Sequence, residues 1–171
     1  MISPRAAVLA GIGGHVPPRA VSNGELAEVL DTSDEWIRSR TGIAQRYFAE
    51  PGTATSDLAV AAGERALKSS DDLAVDAVVV ATTTPDRPCP ATAPYVAWKL
   101  GLAGAAAYDV SAVCTGFLYA LATACGLICA GTAERALVIG AETYSSILNP
   151  RDRTTSVIFG DAAAAVVLRA G

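Results

Sequence analysis

The chain has 171 residues, of which 51% are hydrophobic, 18% charged and 6% aromatic. That is enough for one domain with a core, and the composition is not that of a disordered protein. The formal net charge of −4 provides no excess of positive charge for a phosphate backbone, so no nucleic-acid partner is expected. Much of the apolar content is Ala, Val and Gly, which favours close-packed layers of helix and sheet.

Targeting and redox signals are weak. No apolar run approaches the roughly eighteen residues of a membrane span, and residues 1–19 lack a signal-peptide pattern. We therefore expect a cytoplasmic protein without membrane contact. The four cysteines form no CxxC pair and have no histidine cluster beside them, so no metal site is predicted. Cys125 and Cys129 are four apart on a predicted helix, and both are expected to pack in the core.

The first elements are short. Residues 5–13 (RAAVLAGIG) form an apolar run that predicts a strand, followed by a loop over residues 15–20 that contains two prolines. Two pairs with capping-box spacing then predict two successive helices: Ser22 with Glu25, and Thr32 with Glu35.

The middle and end of the chain alternate between helix and strand. Helices are predicted over residues 55–69, 91–100 and 115–130, and strands over residues 76–84, 105–110 and 135–141. Residues 156–169 hold one strand with a tight turn at Gly160, or two strands. Helix 115–130 is apolar around most of its circumference, so it should be buried. The alternation predicts an α/β fold with a mostly parallel sheet.

The most informative local feature is residues 108–117 (YDVSAVCTGF), where a strand ends, Cys114 follows, and a helix begins. The free N–H groups and dipole of a helix amino terminus favour a thiolate by about 0.3–1 kcal/mol. A base is still needed, and the one histidine, His15, falls in the proline-containing loop, where an ordinary exposed position is the better interpretation. From the residues alone, Cys114 is a nucleophile or, more commonly for such a position, a core cysteine.

Four segments resemble β-ketoacyl-acyl carrier protein synthase III in that family's order and spacing. They are residues 31–43 (DTSDEWIRSRTGI), 81–84 (ATTT), 109–121 (DVSAVCTGFLYAL) and 152–165 (DRTTSVIFGDAAAA). The resemblance implies a thiolase-like layered αβαβα fold built from two similar halves. Residues 1–171 would be the amino-terminal half, and the family's catalytic histidine and asparagine would belong to a carboxy-terminal half outside this chain.

The same resemblance implies a decarboxylative condensation that starts fatty-acid or polyketide synthesis. Cys114 would be acylated by an acyl-coenzyme A primer and then attacked by the carbanion from malonyl-acyl carrier protein. Coenzyme A would take part as a thioester substrate, with no permanently bound cofactor. The implied partners are acyl-CoA, malonyl-acyl carrier protein, the carboxy-terminal half and a second copy in a homodimer.

Seven further residues receive roles from the resemblance. Trp36 would stack on the adenine of coenzyme A, and Thr32, Arg40 and Arg153 would lie near its nucleotide and phosphates. Without the resemblance, we would interpret Trp36 as a half-buried packing residue and the arginines as solvated.

The acyl pocket would contain Tyr144, Phe159 and Cys89. Cys89 stands where some family members have a phenylalanine that reaches the partner subunit's pocket. Its smaller side chain predicts tolerance of primers longer or more branched than acetyl. Asp161, which lies among small residues, is expected to be a structural, hydrogen-bonded carboxylate.

Two alternatives remain open at this point. One is a thiolase-fold acyltransferase that passes the acyl group from Cys114 to an alcohol or amine without decarboxylation. The other is a non-catalytic half-domain that serves assembly or interaction.

Overall fold

The computed structural model describes residues 5–71 and 73–171; residues 1–4 and 72 of the predicted domain lie outside the described part. The strands are β1 (Ala7–His15), β2 (Arg19–Ser22), β3 (Gln45–Phe48), β4 (Ala77–Ala81), β5 (Ala106–Val110), β6 (Arg135–Thr143) and β7 (Asp161–Ala170). The helices are α1 (Asn23–Ala27), α2 (Asp34–Thr41), α3 (Thr55–Ser69), α4 (Thr92–Lys99), α5 (Gly116–Cys129) and α6 (Arg153–Ser156). The predicted helix–strand alternation over the middle of the chain is confirmed.

The main sheet has five strands in the order β1-β7-β6-β4-β5. β4 is parallel to β5 and β6, whereas β7 is antiparallel to β1 and β6. The predicted mostly parallel sheet is therefore wrong, since two of its four strand pairs are antiparallel. The connection from β6 to β7 contains only a 3-10 turn (Tyr144–Ser146) and the four-residue helix α6. Because it has no full-length crossover helix, the chain returns antiparallel.

Helices cover both faces of this sheet. Helices α3 and α4 bury Leu58 and Val96 against Val78 and Ile139 on one face. On the opposite face, α5 packs against a separate cluster that includes Val79 and Val138. The close approach of β1 to α3 depends on Gly13, where a Cβ atom would overlap the backbone of Ala62 and Ala66. The result is a three-layer α/β/α arrangement.

A second, two-stranded sheet pairs β2 with β3 in antiparallel register. This sheet was not predicted from the sequence, because each strand has only four residues and two helices separate them. Arg46 of β3 is buried and donates hydrogen bonds to the backbone oxygens of Val21 and Val157. Burial lowers the pKa of this guanidinium. The two-stranded sheet is thereby tied to the segment after α6.

The two predicted capping boxes have different outcomes. Ser22 and Glu25 form the predicted box at the start of α1. At α2 the N-cap is Ser33, whose Oγ accepts from the Trp36 backbone N–H, so the predicted Thr32 cap is wrong by one residue. Both helices therefore begin within one residue of the predicted cap.

Helix α5 is less buried than its apolar sequence predicts. Its buried positions are Gly116, Ala120, Ala124 and Ile128, which form a single stripe against the sheet. On its other side, Leu118 is 61% exposed and Tyr119 is 56% exposed. Cys125 is half-buried and Cys129 is exposed, so the core position expected for Cys129 is wrong. The apolar outer face of α5 has no covering element among the described residues.

Within the described part of the chain, no helix is both long enough and apolar enough to cross a membrane.

Candidate active site

Cys114 lies in a single 3-10 turn, Val113–Thr115, between β5 and α5. The turn is strained, because Val113 has a φ of 47° and β-branched residues rarely adopt this left-handed region. The Cys114 side chain is exposed and forms no disulfide. The core-packing interpretation of Cys114 is therefore wrong for this chain, and the predicted strand–cysteine–helix geometry is present.

The start of α5 is held close to the sheet. A Cβ on Gly116 would lie 3.4 Å from the Cβ of Ala81 at the end of β4, and a Cβ on Gly140 would lie 3.3 Å from the Phe117 ring. Because β4, β5 and β6 are parallel to one another, their carboxyl ends meet at one edge. Cys114 follows that edge, where ligand sites of parallel sheets commonly occur.

A cavity of about 770 Å³ opens beside the cysteine. Its lining includes Cys114, Phe117, Tyr144 and Phe159 together with the polar residues Thr83 and Glu142. Alanines and glycines of β6 and β7 form much of the remaining wall. A mainly apolar cavity with a few polar groups suits an acyl chain attached near the thiol.

The aromatic wall of this cavity is a stacked pair. The rings of Tyr144 and Phe159 have centroids 4.3 Å apart and planes inclined by 18°. One residue follows β6 and the other precedes β7, so the fold joins two residues that the sequence could assign to a pocket only by resemblance.

His15 also lines the cavity, at the end of β1. Its expected exposed position in the following loop is wrong, because β1 extends as far as His15, which pairs with Ala163 of β7. The Nδ1 atom is buried and has no hydrogen-bond partner within the described residues.

Trp36, Arg40 and Arg153 form a second group. The guanidinium carbon of Arg40 lies 4.4 Å from the Trp36 ring centroid, and that of Arg153 lies 5.0 Å from it. Arg153 Nη1 also donates to the backbone oxygen of Asp31 at 2.6 Å. Thr32, the next residue, has a buried Oγ1 with no partner in the described structure. The residues matched to nucleotide binding are thus brought together, although none of them lines the Cys114 cavity.

Cys89 lies apart from these groups. It is exposed in the connection between β4 and α4 and does not line the cavity around Cys114. Asp161, in contrast, is 2% exposed and accepts hydrogen bonds from the backbone N–H groups of Ala49 and Ser145, each at 2.7 Å. Its predicted structural role is confirmed.

Glu142 and Arg65 are charged cavity residues that sequence reasoning missed. Glu142 follows a run of buried residues in β6, and a carboxylate at the end of such a strand was the available signal. Its side chain accepts hydrogen bonds from Thr83 N and Thr83 Oγ1, both at 2.8 Å, and from Thr84 Oγ1 at 2.6 Å. Among the described residues, no group of three or more His, Cys, Asp or Glu side chains lies close enough together to hold a metal ion.

Comparison with known proteins agrees with this geometry. The family model for 3-oxoacyl-[acyl-carrier-protein (ACP)] synthase III matches residues 108–171. Beta-ketoacyl-[acyl-carrier-protein] synthase III 3 of Streptomyces coelicolor is 69% identical over 171 residues, which are 98% of this chain and 50% of that protein.

Two crystal structures show the same architecture. FabH, a 3-oxoacyl-(acyl carrier protein) synthase III from Pseudomonas aeruginosa PAO1, gives a TM-score of 0.94 at 54% identity, covering 98% of this chain and 52% of that one. The priming beta-ketosynthase of the R1128 polyketide biosynthetic pathway gives a TM-score of 0.95 at 35% identity, covering 100% of this chain and 52% of that one.

The similarity to these two structures defines the class of fold. The described layers are the first half of a thiolase-like αβαβα fold. The resemblance found in the sequence is then confirmed, because the chain is homologous to the amino-terminal half of β-ketoacyl-acyl carrier protein synthase III. The chain spans about half the length of the curated relatives it matches.

Proposed function

We propose that this chain provides the nucleophile-bearing half of a condensing enzyme that joins an acyl-CoA primer to malonyl-acyl carrier protein. The observation that carries the proposal is the exposed Cys114, located at the start of α5 and beside a mainly apolar cavity. The relatives named as synthase III proteins support the reaction class.

In the first step, the Cys114 thiolate attacks the thioester carbonyl of acyl-CoA. The carbon–sulfur bond to coenzyme A breaks, coenzyme A leaves as a thiolate that takes up a proton, and the acyl group remains on Cys114. The N–H groups near the start of α5 favour both the cysteine thiolate and the oxyanion of the tetrahedral intermediate.

In the second step, malonyl-acyl carrier protein loses carbon dioxide and the resulting carbanion attacks the acyl-Cys114 carbonyl. A carbon–carbon bond forms, the Cys114 thiolate is released, and the product is a β-ketoacyl-acyl carrier protein. By the resemblance to the synthase III family, a histidine and an asparagine from a carboxy-terminal half would assist decarboxylation.

Coenzyme A binding is assigned to Trp36, Arg40 and Arg153, with Thr32 beside them. A flat indole ring can stack on adenine, and guanidinium groups suit phosphates. The contacts of both arginines with Trp36 support a single nucleotide site.

The primer is proposed to exceed acetyl in length or branching. Tyr144 and Phe159 would form the acyl wall within this chain, while Cys89 would approach the corresponding pocket of a second copy in a homodimer. The exposed position of Cys89, away from its own cavity, is compatible with that arrangement.

The carboxy-terminal half is proposed to cover the outer face of α5. Leu118 and Tyr119 are exposed there, and α5 contains no charged residue. Apolar surface of this kind marks an interaction site. A complete enzyme assembled in this way, acting in the cytoplasm with a carrier protein, is the function that this chain supports best.

The test combines this chain with the carboxy-terminal half of the Streptomyces coelicolor relative. Acyl-CoA primers of increasing length are added, and the mass of the peptide containing Cys114 is measured. We expect acylation of Cys114, none in Cys114→Ala, and an unchanged result in Cys129→Ala. Release of carbon dioxide from malonyl-acyl carrier protein separates condensation from simple acyl transfer to an alcohol or amine. Absence of acyl-Cys114 with every primer would contradict the enzymatic proposal and favour a non-catalytic half-domain.

A further inference from the structure

The side chain of Glu142 accepts four hydrogen bonds. Its Oε1 accepts from the backbone N–H and the hydroxyl of Thr83, both at 2.8 Å. Its Oε2 accepts from the Thr84 hydroxyl at 2.6 Å and from the Thr82 hydroxyl at 3.4 Å. Three consecutive threonines of the loop after β4 therefore converge on one carboxylate at the end of β6.

The same loop is fixed from behind by buried hydroxyl groups. Thr84 Oγ1 accepts from the Thr143 backbone N–H at 3.0 Å and lies 3.1 Å from Thr55 Oγ1. Thr55 Oγ1 is also 2.8 Å from Thr143 Oγ1. Thr55, Thr84 and Thr143 are all buried. The loop is thus held between the start of α3 and the end of β6, with Glu142 as the charged acceptor on its cavity side.

Contacts of the residues next to this loop set its position relative to Cys114. The start of α5 packs on Ala81, and Thr82 follows directly, donating its backbone N–H to the Val110 oxygen of β5. Thr83, Glu142 and Cys114 then line one cavity. The Thr82–Thr84 loop and the turn that carries Cys114 are therefore two walls of the same space, and a shift of the loop changes the width beside the sulfur.

Glu142 has no cationic partner among the salt bridges of the described residues. The hydrogen bonds that its carboxylate accepts within the described residues come from N–H and O–H groups of Thr82, Thr83 and Thr84, and such charge-assisted hydrogen bonds are stronger than neutral ones. An amide in its place could not accept all four, because its NH₂ group is a donor. This set of hydrogen bonds therefore requires a carboxylate at position 142.

We infer that Glu142 is a positioning residue that holds the Thr82–Thr84 loop in place and thereby sets the size limit for acyl groups on Cys114. The inference rests on the proposed function, because it gives Glu142 a part in shaping the acyl cavity. It also predicts a property of the cysteine that can be measured without catalysis.

The first experiment measures size selectivity at Cys114 by alkylation. The chain, combined with the carboxy-terminal half of the Streptomyces coelicolor relative, is treated with iodoacetamide or with a bulky pyrene maleimide, and modified peptides are quantified by mass spectrometry. In Glu142→Gln the ratio of bulky to small reagent at Cys114 should rise by about tenfold, as expected for the loss of charge-assisted hydrogen bonds. The reference is labelling of the same variants after unfolding in urea, where the cavity is lost and the ratio at Cys114 should not differ between them.

Asp76→Asn is the matched control variant. The Asp76 carboxylate also accepts from backbone N–H groups, those of Glu134 and Arg135, but at the opposite end of β4. It should leave the Cys114 ratio unchanged even where it lowers the midpoint of unfolding. Thr83→Val should reproduce part of the Glu142→Gln effect, and Glu142→Asp should restore part of the wild-type ratio.

The second experiment uses the acyl-CoA series with the same variants. Glu142→Gln should reduce the ratio of kcat/KM between short and long primers by about tenfold. The kcat for the best primer should change by a smaller factor than this ratio. If the wild-type protein is alkylated selectively but never acylated, the proposed function fails while the positioning role stands. If Glu142→Gln gives the wild-type alkylation ratio, or if Asp76→Asn changes the ratio as much as Glu142→Gln does, the positioning role is overturned.

Discussion

The rings of Tyr144 and Phe159 stack with centroids 4.3 Å apart on one wall of the Cys114 cavity. Neither ring is fully buried, so each has a face or edge available to a ligand. An aromatic pair of this geometry contributes about 0.5–1.5 kcal/mol beyond its buried area.

Removing one ring should enlarge the acyl cavity. We expect Phe159→Ala to raise the ratio of kcat/KM for long over short acyl-CoA primers by about tenfold, at a stability cost of about 2 kcal/mol, since a partly buried ring loses less than a fully buried one. Tyr144→Phe keeps the stack and should leave the ratio unchanged. Kinetics with a primer series check this, and equal ratios in both variants would show that the pair does not limit primer length.

Trp36 should govern affinity for the nucleotide end of the substrate. Stacking of a base on an aromatic ring contributes about 1–3 kcal/mol, so Trp36→Ala should raise the KM for acyl-CoA by about tenfold or more with little change in kcat. Trp98→Ala is the control, because Trp98 is the other tryptophan, is 62% exposed and lies on α4. A change in kcat alone, or the same KM change in both variants, would contradict the assignment.

Two adjacent glycines of β1 should differ sharply in tolerance of a methyl group. Gly13→Ala places a Cβ against the backbone of α3 and should lower the free energy of unfolding by about 2 kcal/mol or more. Gly14→Ala is the matched variant, since its Cβ would meet only the Ala163 oxygen at 3.9 Å. Urea denaturation of both variants tests the packing of β1 on α3, and equal losses would show that the close approach is absent.

Asp34 should make stability depend on pH at acidic values. Its pKa is lowered from the ordinary 3.8, first because the Asn23 amide donates to it and second because the Arg38 guanidinium does. The folded form therefore keeps the charge to lower pH than the unfolded chain. This contribution is present above the ordinary pKa and is lost as the pH falls through the lower, folded value.

The variant Asp34→Asn tests this sign. Its urea midpoint should lie below that of the wild type at about pH 6, and the difference should shrink as the pH is lowered from about 4 to about 2. Glu35→Gln, at the next position of α2, is the control for a general change of charge in the first turn. A difference that stays constant over this range would exclude the ionised Asp34 as its source.

The sequence was sufficient wherever local pattern decides structure. The bounds of α3 agree with the predicted residues 55–69, because its apolar positions recur at helical spacing. The strand that ends before Cys114 and the helix that follows it were likewise predicted. Family resemblance grouped Trp36, Arg40 and Arg153, and the two arginines do contact the Trp36 ring.

Contacts between residues that are distant in the sequence could not be predicted from local pattern. The pairing of β2 with β3, the antiparallel return of β7 and the exposed outer face of α5 depend on which elements meet in space. The convergence of Thr82, Thr83 and Thr84 on Glu142 depends on the parallel alignment of β4 with β6.

The sequence by itself therefore determined the strand–cysteine–helix junction and the family likeness, since both are properties of contiguous residues. Only the tertiary structure decided what surrounds the Cys114 sulfur. Side chains from β1, β6 and the loop after β4 reach one cavity because hydrogen-bonded strands bring residues of remote sequence position side by side.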